Sequence, residues 1–256
     1  MDAPRLTAEV LLAHAMKVER VYFFAHPEQT LREVEWIHYG RYLDERIKGK
    51  PTQYITRKQE FFGREFKVTR DVLIPRPETE LVVETAMRLG PKSGRLVDVG
   101  TGSGCIAVTL ALETRLSVTA VDLSPAALAV AHENAERHGA KVEFIESDLL
   151  RGFADSTFDA VVSNPPYIPL SDMPSMQREV RDFEPHLALF AGASGLTAYE
   201  RLIPQARRVL KPGGLLVLEL GFGLSGAVAS IAADWADVRV FNDLAGIPRV
   251  LACVKP

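Results

Sequence analysis

The chain has 256 residues, of which 47% are hydrophobic and 25% charged, and its formal net charge is −3. These values are typical of a folded globular protein with one large domain or two unequal ones. The weakly acidic balance disfavours a dedicated duplex-binding protein, because phosphate contacts need a basic surface, and no apolar run reaches the roughly 20 residues of a membrane span.

The two cysteines, Cys105 and Cys253, are far apart in the sequence and predict buried thiols rather than a disulfide framework. The first residues include Asp2, Arg5 and Glu9 and no apolar core, so no secretory signal is predicted. We therefore expect a cytoplasmic protein without a membrane segment. The histidines lack ligand spacing, and no metal site is expected.

Residues 1–50 predict a small helical domain. One helix is predicted after Thr7, and a second begins at Thr30–Glu33, where the sequence Thr-Leu-Arg-Glu fits a capping box, and runs to about Lys48. Residues 51–74 predict a β-hairpin that links this domain to the rest of the chain. Its predicted short strands cover 54–56, 60–63 and 66–69.

Arg76 lies between two prolines that hold the backbone extended. An arginine fixed in this way loses little backbone freedom when it binds a carboxylate, so a role in substrate binding is predicted. Simple exposure on a stiff linker is the alternative. Thr79 comes directly before a helical pattern.

Strands and helices alternate from residue 94 onward, within a predicted domain of residues 75–256. The predicted strands are 95–99, 118–121, 142–145, 158–163, 215–220, 238–241 and 249–254. The predicted helices are 105–112, 125–138, 196–210 and 227–233. This alternation predicts a mostly parallel sheet with helices on both faces.

A glycine-rich turn joins the first of these strands to its helix. Its residues are Gly100, Thr101, Gly102, Ser103 and Gly104. Glycines let the backbone approach a ligand closely, and a helix N-terminus favours negative groups. Asp122 ends the second strand, where a carboxylate can accept the hydroxyls of a ribose. Asp148 follows the third strand and is expected to accept from an adenine amino group, with Leu149 beside the ring. Asp98 precedes the turn and is expected to hold it or an ammonium group.

The turn alone does not decide the ligand, because NAD, FAD and S-adenosylmethionine sites share this layout. The Gly-x-Gly-x-x-Gly pattern of dinucleotide sites occurs later, at Gly221–Gly226, but too few residues follow it to complete a dinucleotide half. The Gly-x-Ser-x-Gly pattern of hydrolases fails at Ser103, because Thr101 stands two residues before it.

The Asn164–Tyr167 segment, with the sequence Asn-Pro-Pro-Tyr, follows the fourth strand. Pro165 and Pro166 cannot continue a sheet ladder, so the chain turns out at the carboxyl end of the sheet, where ligands bind. Asn164 Oδ1 and the Pro165 carbonyl can each accept one N–H, and the Tyr167 ring can lie against a flat face. This set suits a planar NH₂ group; an ordinary proline turn capped by Asn is the alternative.

Together, Asp98–Gly104 and Asn164–Tyr167 resemble class I S-adenosylmethionine-dependent methyltransferases that act on a planar NH₂ group. The resemblance extends to three further segments, Leu73–Glu80, Glu219–Gly221 and Gly246–Val250. With these segments included, nearly the whole chain resembles the HemK/PrmC family, the protein-(glutamine-N5) methyltransferases of peptide chain release factors. The resemblance implies a Rossmann-like, seven-stranded, mostly parallel sheet preceded by a small helical domain.

The resemblance implies S-adenosylmethionine as cofactor and methyl transfer to the glutamine of the Gly-Gly-Gln motif of a release factor. It implies that the glycine turn, Asp122, Asp148 and Leu149 bind the cofactor, with Asn164 beside it. Asn164–Tyr167 is expected to hold the glutamine amide, with Asn164, Pro165 and Tyr167 in the catalytic role. Residues 1–50 are expected to dock the release factor, and the chain is expected to be a monomer.

Two positions depart from the family pattern. Arg57 stands where a glycine is usual after the Tyr-Ile pair, and Gly223-Leu224 replaces an expected glutamine. Two other functions remain open at this point. One is adenine-N6 methylation of DNA or RNA, in which the enzyme must also hold a planar NH₂ group. The acidic net charge disfavours this function, so no direct nucleic acid partner is expected. The other is a noncatalytic S-adenosylmethionine-binding partner of the translation machinery.

Overall fold

The computed structural model describes residues 3–256. Its α-helices are α1 (Pro4–Met16), α2 (Tyr22–Ala25), α3 (Glu33–Ile47), α4 (Thr52–Thr56), α5 (Glu80–Leu89), α6 (Cys105–Glu113), α7 (Pro125–His138), α8 (Arg178–Phe183), α9 (His186–Leu189), α10 (Thr197–Val209) and α11 (Ser225–Ile231). Its strands are β1 (Lys58–Phe61), β2 (Arg64–Lys67), β3 (Gly94–Val99), β4 (Leu116–Asp122), β5 (Val142–Glu146), β6 (Phe158–Ser163), β7 (Leu210–Glu219), β8 (Ala236–Asn242) and β9 (Pro248–Val254). Two 3₁₀ helices cover Pro77–Thr79 and Leu170–Ser175.

Contacts divide the described chain into two compact units. The first comprises the residues up to Lys58 together with Gln177–Phe183, and the second comprises Gln59–Met176 with Glu184–Pro256. An ion pair of 2.6 Å between Arg46 on α3 and Glu179 on α8 lies inside the first unit. No strand or helix is predicted from the sequence between residues 163 and 196, where α8, α9 and the second 3₁₀ helix occur.

Helix starts in the first unit differ from the prediction. Helix α1 begins at Pro4 rather than after Thr7, because proline suits the first turn of a helix. Helix α3 has Arg32 as its N-cap, and the Arg32 N–H donates to Glu35 Oε2 over 2.8 Å. This is half of a capping box, because the arginine side chain has no acceptor and donates to Glu35 Oε1 instead. The predicted box at Thr30 is therefore two residues too early, while the end of this helix near residue 48 is confirmed.

The strand predicted for residues 54–56 is wrong, because these residues form the end of helix α4. Tyr54, Ile55 and Thr56 are all buried, so their apolar character reflects packing rather than strand formation. Arg57 then ends the helix with φ of 62°, in the left-handed region that glycine favours. This explains why a glycine is the usual residue at this position of the predicted family pattern.

The second unit contains a seven-stranded sheet in the order β5-β4-β3-β6-β7-β9-β8. Strands β5, β4, β3, β6 and β7 run parallel to one another, while β9 pairs antiparallel with both β7 and β8. The predicted mostly parallel sheet is thus confirmed. The order reverses at β3, since β4 and β5 lie on one side of it and β6 on the other. Ligands bind at such a reversal in open α/β sheets.

Two apolar clusters cover the two faces of this sheet. One joins α5, α6 and α7 to residues such as Leu96, Ala120 and Val162. The other joins α10 and α11 to residues such as Val97 and Val161. Neighbouring residues of each strand enter opposite clusters, as the pleat requires, which confirms helices on both faces. Both cysteines are buried free thiols in these clusters, as predicted.

The β1–β2 hairpin is confirmed for residues 58–67. Phe61 and Phe66 from its two strands belong to the α5–α7 cluster, and their rings meet edge to face. The Phe62 N–H at its turn donates to Glu80 Oε1 on α5 over 2.7 Å. The hairpin is therefore packed against the helices of the second unit.

Candidate active site

Four strands end side by side at the carboxyl edge of the sheet. Val99 at the end of β3 pairs with Val121 of β4 on one side and with Ser163 of β6 on the other. Ser163 in turn pairs with Leu218 of β7. The residues in the next position along these strands are, in order across the sheet, Asp122, Gly100, Asn164 and Glu219. The register alone therefore brings the glycine turn and the Asn-Pro-Pro-Tyr segment together.

The glycine turn uses its glycines for two different purposes. Gly100, Gly102 and Gly104 have φ of 72°, 54° and 80°, where only glycine is unstrained. A Cβ built on Gly104 would lie 3.0 Å from Ala131 Cβ on α7, whereas one on Gly100 or Gly102 would meet no atom within 4 Å. Gly104 thus permits close helix packing, and Gly100 and Gly102 leave space in a cavity that they line.

Asp122 is held by the backbone on both of its carboxylate oxygens. Oδ2 accepts from the Gly102 N–H and Oδ1 from the Ser124 N–H, each over 2.9 Å. A carboxylate oxygen accepts more than one hydrogen bond, so both oxygens retain capacity for two adjacent hydroxyls. The predicted ribose contact is compatible with this arrangement.

Asp98, on strand β3, forms a hydrogen bond with the same turn. Its Oδ2 accepts from the Thr101 hydroxyl over 2.7 Å, and the carboxyl is fully buried. Burial raises the pKa of Asp98 to about 7, and the Thr101 hydroxyl opposes that rise. Of the two roles predicted for Asp98, holding the turn is confirmed; a contact with an ammonium group stays a prediction.

Asp148 and Leu149 line the cavity beyond β5. Asp148 Oδ2 accepts from the Arg201 guanidinium over 2.6 Å, a partner on α10 that the sequence did not suggest. The pair leaves Asp148 Oδ1 for another donor. Leu149 has φ of 55°, an uncommon conformation for a residue with a side chain, and it also lines the cavity.

The Asn164–Tyr167 segment, which we call the corner, is held by side-chain hydrogen bonds at both of its ends. Asn164 Nδ2 donates to Thr79 Oγ1 over 3.2 Å. The Tyr167 hydroxyl donates to Glu219 Oε1 over 3.3 Å, and burial raises the pKa of this phenol well above its usual range. A Cβ built on Gly221 would lie 2.8 Å from Tyr167 Cδ2, so the ring lies directly against the backbone that follows β7.

Arg76 forms an ion pair inside the chain. Its guanidinium donates to Glu184 Oε1 over 2.5 Å, and the Glu184 side chain is only 1% exposed. Glu184 Oε2 also accepts from the Ile74 N–H over 3.2 Å. The carboxylate that Arg76 binds in this structure is therefore Glu184 of the same chain, and substrate binding by Arg76 stays a prediction.

A cavity of about 380 Å³ opens at this edge of the second unit. The predicted residues that line it are Gly100, Thr101, Gly102, Ser103, Asp122, Asp148, Leu149, Asn164, Pro166 and Arg76. Gly104, Pro165 and Tyr167 do not line it: Gly104 packs on α7, Pro165 is buried, and Tyr167 lies against Gly221. Thr79 and Arg201 line the cavity and were not predicted as site residues.

The cavity fits S-adenosylmethionine in size and in chemistry. Its volume falls within the roughly 300–1,000 Å³ range of small-molecule sites. Asp122 and Asp148 supply acceptors for a ribose and an amino group, and Leu149 and Ile106 supply apolar surface. The space that a Cβ would fill at Gly100 and Gly102 is the kind of gap a nucleoside needs beside a backbone turn.

Among residues 3–256, no group of three or more His, Cys, Asp or Glu side chains is arranged to hold a metal ion. In the same part of the chain, no helix is both long enough and apolar enough to cross a bilayer.

Two family models match the sequence. The model described as the PrmC N-terminal domain matches residues 1–56, and the methyltransferase small domain matches residues 77–176. The release factor glutamine methyltransferase of Koribacter versatilis is 48% identical over 99% of this chain and 92% of its own length. That of Bacillus subtilis is 42% identical over 96% of this chain and 90% of its own length.

Solved structures share the fold at low sequence identity. A methyltransferase from Pyrococcus furiosus superposes with a TM-score of 0.59 at 18% identity, over 84% of this chain and 98% of that one. The E. cuniculi Mtq2–Trm112 complex, described as responsible for methylating the eRF1 translation termination factor, gives 0.54 at 21% identity, over 73% of this chain and 99% of that one. These likenesses support the class I methyltransferase fold.

Proposed function

The chain belongs to the release factor glutamine methyltransferase family, and from that premise we propose how its residues perform the reaction. The enzyme transfers a methyl group from S-adenosylmethionine to the side-chain amide nitrogen of the glutamine in the Gly-Gly-Gln motif of peptide chain release factors. The observation that carries the residue assignment is the pairing of Val99 with Ser163. It sets the glycine turn and the Asn164 corner next to each other on one cavity.

The amide nitrogen of glutamine is a poor nucleophile, because its lone pair is delocalised into the carbonyl. Asn164 Oδ1 and the Pro165 carbonyl oxygen are both acceptors, so each can take one N–H of the substrate amide. Two acceptors fix the plane of the NH₂ group and direct the nitrogen lone pair toward the cavity. Tyr167 lies outside the cavity, with its ring against Gly221 and its hydroxyl bonded to Glu219, so its part in the reaction is to hold the Asn164–Tyr167 segment in place.

When bound, S-adenosylmethionine supplies an electrophilic methyl group on a positively charged sulfur. Gly100 and Gly102 would leave room for the nucleoside beside the turn, and Asp122 would accept from the ribose hydroxyls. Asp148 and Leu149 hold the adenine. The methylated nitrogen would lose one proton to water, so no strong general base is required, and the chain contributes positioning and stabilisation of developing charge.

The helical first unit is proposed to dock the release factor. Helix α3 exposes Trp36 and Ile37 by 59% and 64%, and large exposed apolar side chains grouped on one helix suit a protein partner. Replacing both by serine should raise KM for the release factor and leave S-adenosylmethionine affinity unchanged. Val240→Ser, at an exposed apolar position on β8, is the matched control. A wild-type KM in the double variant would remove this face from docking.

One assay separates this function from the two others that remained open. Purified protein and methyl-labelled S-adenosylmethionine are offered release factor, DNA and RNA in parallel. Label on the release factor, absent when its Gly-Gly-Gln glutamine is replaced, supports the proposal. Label on adenine in DNA or RNA would select the nucleic acid methyltransferase, and binding of S-adenosylmethionine without any transfer would select the noncatalytic partner. A monomer in the cytoplasm remains the sequence-based prediction.

A further inference from the structure

The side-chain amide of Asn164 is held from behind by a residue that the mechanism has not used. Asn164 Nδ2 donates to Thr79 Oγ1 over 3.2 Å, and Thr79 is only 2% exposed. An amide group has a donor end and an acceptor end, and a hydrogen bond to either one selects its orientation. The Thr79 contact therefore bears on which end of Asn164 meets the substrate.

Thr79 in turn lies against a buried carboxylate. Glu219 is 2% exposed; its Oε1 accepts from the Tyr167 hydroxyl, and its Oε2 is buried without a partner of standard hydrogen-bond geometry in the described chain. Burial raises the pKa of Glu219 to about 7, while hydrogen bonding from the Thr79 and Tyr167 hydroxyls opposes the rise. Arg249 also lowers this pKa, and Glu78 raises it.

The hydroxyl of Thr79 has a single hydrogen, so it can donate to one neighbour only. An ionised Glu219 is purely an acceptor, and the electrostatic contact between the two side chains favours donation of that hydrogen to Glu219. Thr79 Oγ1 can then only accept from Asn164, which must turn its NH₂ end toward Thr79. A flipped Asn164 would place two acceptors face to face and leave the buried Thr79 oxygen without a donor.

We propose that Thr79 and Glu219 are positioning residues for methyl transfer: they lock the amide of Asn164 so that Oδ1, and not Nδ2, meets the substrate. The same Glu219 carboxylate holds the Tyr167 hydroxyl, so one buried acid fixes both ends of the corner. The inference rests on the proposed function, because the locked Oδ1 matters only if a planar NH₂ group is the substrate.

The test compares Thr79→Val with Thr79→Ser, using methyl-labelled S-adenosylmethionine and release factor. Thr79→Val keeps the shape and removes the hydroxyl, so Asn164 is free to flip and kcat should fall by about tenfold or more. Thr79→Ser restores the hydroxyl and should stay within about threefold of wild type, in line with a retained hydrogen bond. Affinity for S-adenosylmethionine, measured by calorimetry, should be unchanged in both.

Thr85→Val is the matched control. Thr85 is a fully buried threonine on α5 whose Oγ1 has no hydrogen-bond partner in the described residues, and its replacement should leave kcat unchanged. Thr79→Ala is the second variant, in case Thr79→Val does not fold, and it must show the same loss of kcat. Wild-type kcat in a folded Thr79→Val or Thr79→Ala protein overturns the inference. An inactive wild-type protein overturns the proposed function instead, so the two failures are distinguishable.

The pH profile of kcat gives a readout that a merely structural Thr79 would not change. Protonated Glu219 becomes a donor to Thr79, which releases the Thr79 hydrogen toward Asn164 and unlocks the amide. Wild-type kcat should therefore fall by about tenfold between pH 8 and pH 6, as expected for one group that titrates near neutrality. In Thr79→Val this acidic decrease should disappear. An identical decrease in both proteins would contradict the lock.

Discussion

The close contact between Gly221 and the Tyr167 ring predicts the effect of one added methyl group. Gly221→Ala places a Cβ 2.8 Å from Tyr167 Cδ2 and 3.0 Å from Tyr167 Cγ. The Gly221 backbone is not in the left-handed region, so the alanine itself is unstrained and the ring must give way. Ordinary contact begins at 3.4 Å, and the ring must therefore move by about 0.6 Å or more.

The ring cannot swing away cheaply, because its hydroxyl is tied to the buried Glu219. Overpacking of this kind costs about 1–3 kcal/mol of folding free energy. A misplacement approaching 1 Å in a positioned site lowers kcat by about 10²-fold, so a loss of about tenfold or more is expected here. The measurements are kcat on release factor and the thermal midpoint of unfolding, with S-adenosylmethionine affinity nearly unchanged.

Gly226→Ala is the matched control for this variant. Gly226 lies in α11 with an ordinary φ, and a Cβ there would meet no atom within 4 Å. Alanine exceeds glycine in helix propensity by about 1 kcal/mol, so this variant should be at least as stable as wild type with the same kcat. A Gly221→Ala protein with wild-type kcat and wild-type midpoint would refute the reasoning.

Three further predictions follow from the site. Asn164→Ala should lower kcat by about 10²-fold or more, as for other preorganised polar groups, while S-adenosylmethionine still binds by calorimetry; retained turnover would exclude its role. Asp122→Ala should weaken S-adenosylmethionine binding by about tenfold or more, because a charged hydrogen-bond acceptor is lost, and unchanged affinity would remove Asp122 from the ribose contact. The pKa of Asp98 rises on folding from 3.8 to about 7, so its contribution to stability is full below pH 3.8 and is lost as pH rises through 7, by about 4 kcal/mol. Asp98→Asn should therefore raise the urea midpoint at pH 8.5 and change it little at pH 4; an equal effect at both pH values would contradict this.

Most strands and turns of the second unit could be predicted, because each is encoded by neighbouring residues in the sequence. The buried strands are continuous apolar runs, and the turns between them carry Gly, Pro, Asp and Asn, which have definite backbone preferences. Parallel strands then place their carboxyl ends at one edge, so Gly100, Asp122 and Asn164 were expected to meet there. The register of Val99 with Ser163 confirms that these residues converge.

The errors lie where tertiary packing overrides local propensity. Residues 54–56 are predicted as a strand because Tyr, Ile and Thr favour strands. In the structure the same three side chains are buried as part of a short helix instead. The start of α3 at Arg32 could not be predicted, because an arginine is an unusual residue at the N-cap. Sequence also gave no reason to pair Asp148 with Arg201, which is 53 positions further along the chain.

The missed members of the site are buried polar groups whose roles depend on partners distant in sequence. The sequence indicates Thr79 only as the residue before a helix, and Glu219 only as part of the family resemblance. A buried Glu at the end of a strand is a signal in itself, since glutamate is seldom fully buried unless it is paired. Its partners, Thr79 and Tyr167, become visible only when the strands are aligned.

The most direct test of the central claim is a crystal structure of the enzyme with S-adenosylhomocysteine and a peptide containing Gly-Gly-Gln. The glutamine side-chain nitrogen should lie within about 3.2 Å of both Asn164 Oδ1 and the Pro165 carbonyl oxygen, as a hydrogen bond requires. A glutamine amide bound away from these two oxygens, or a nucleoside seated away from Gly100 and Asp122, would contradict the account.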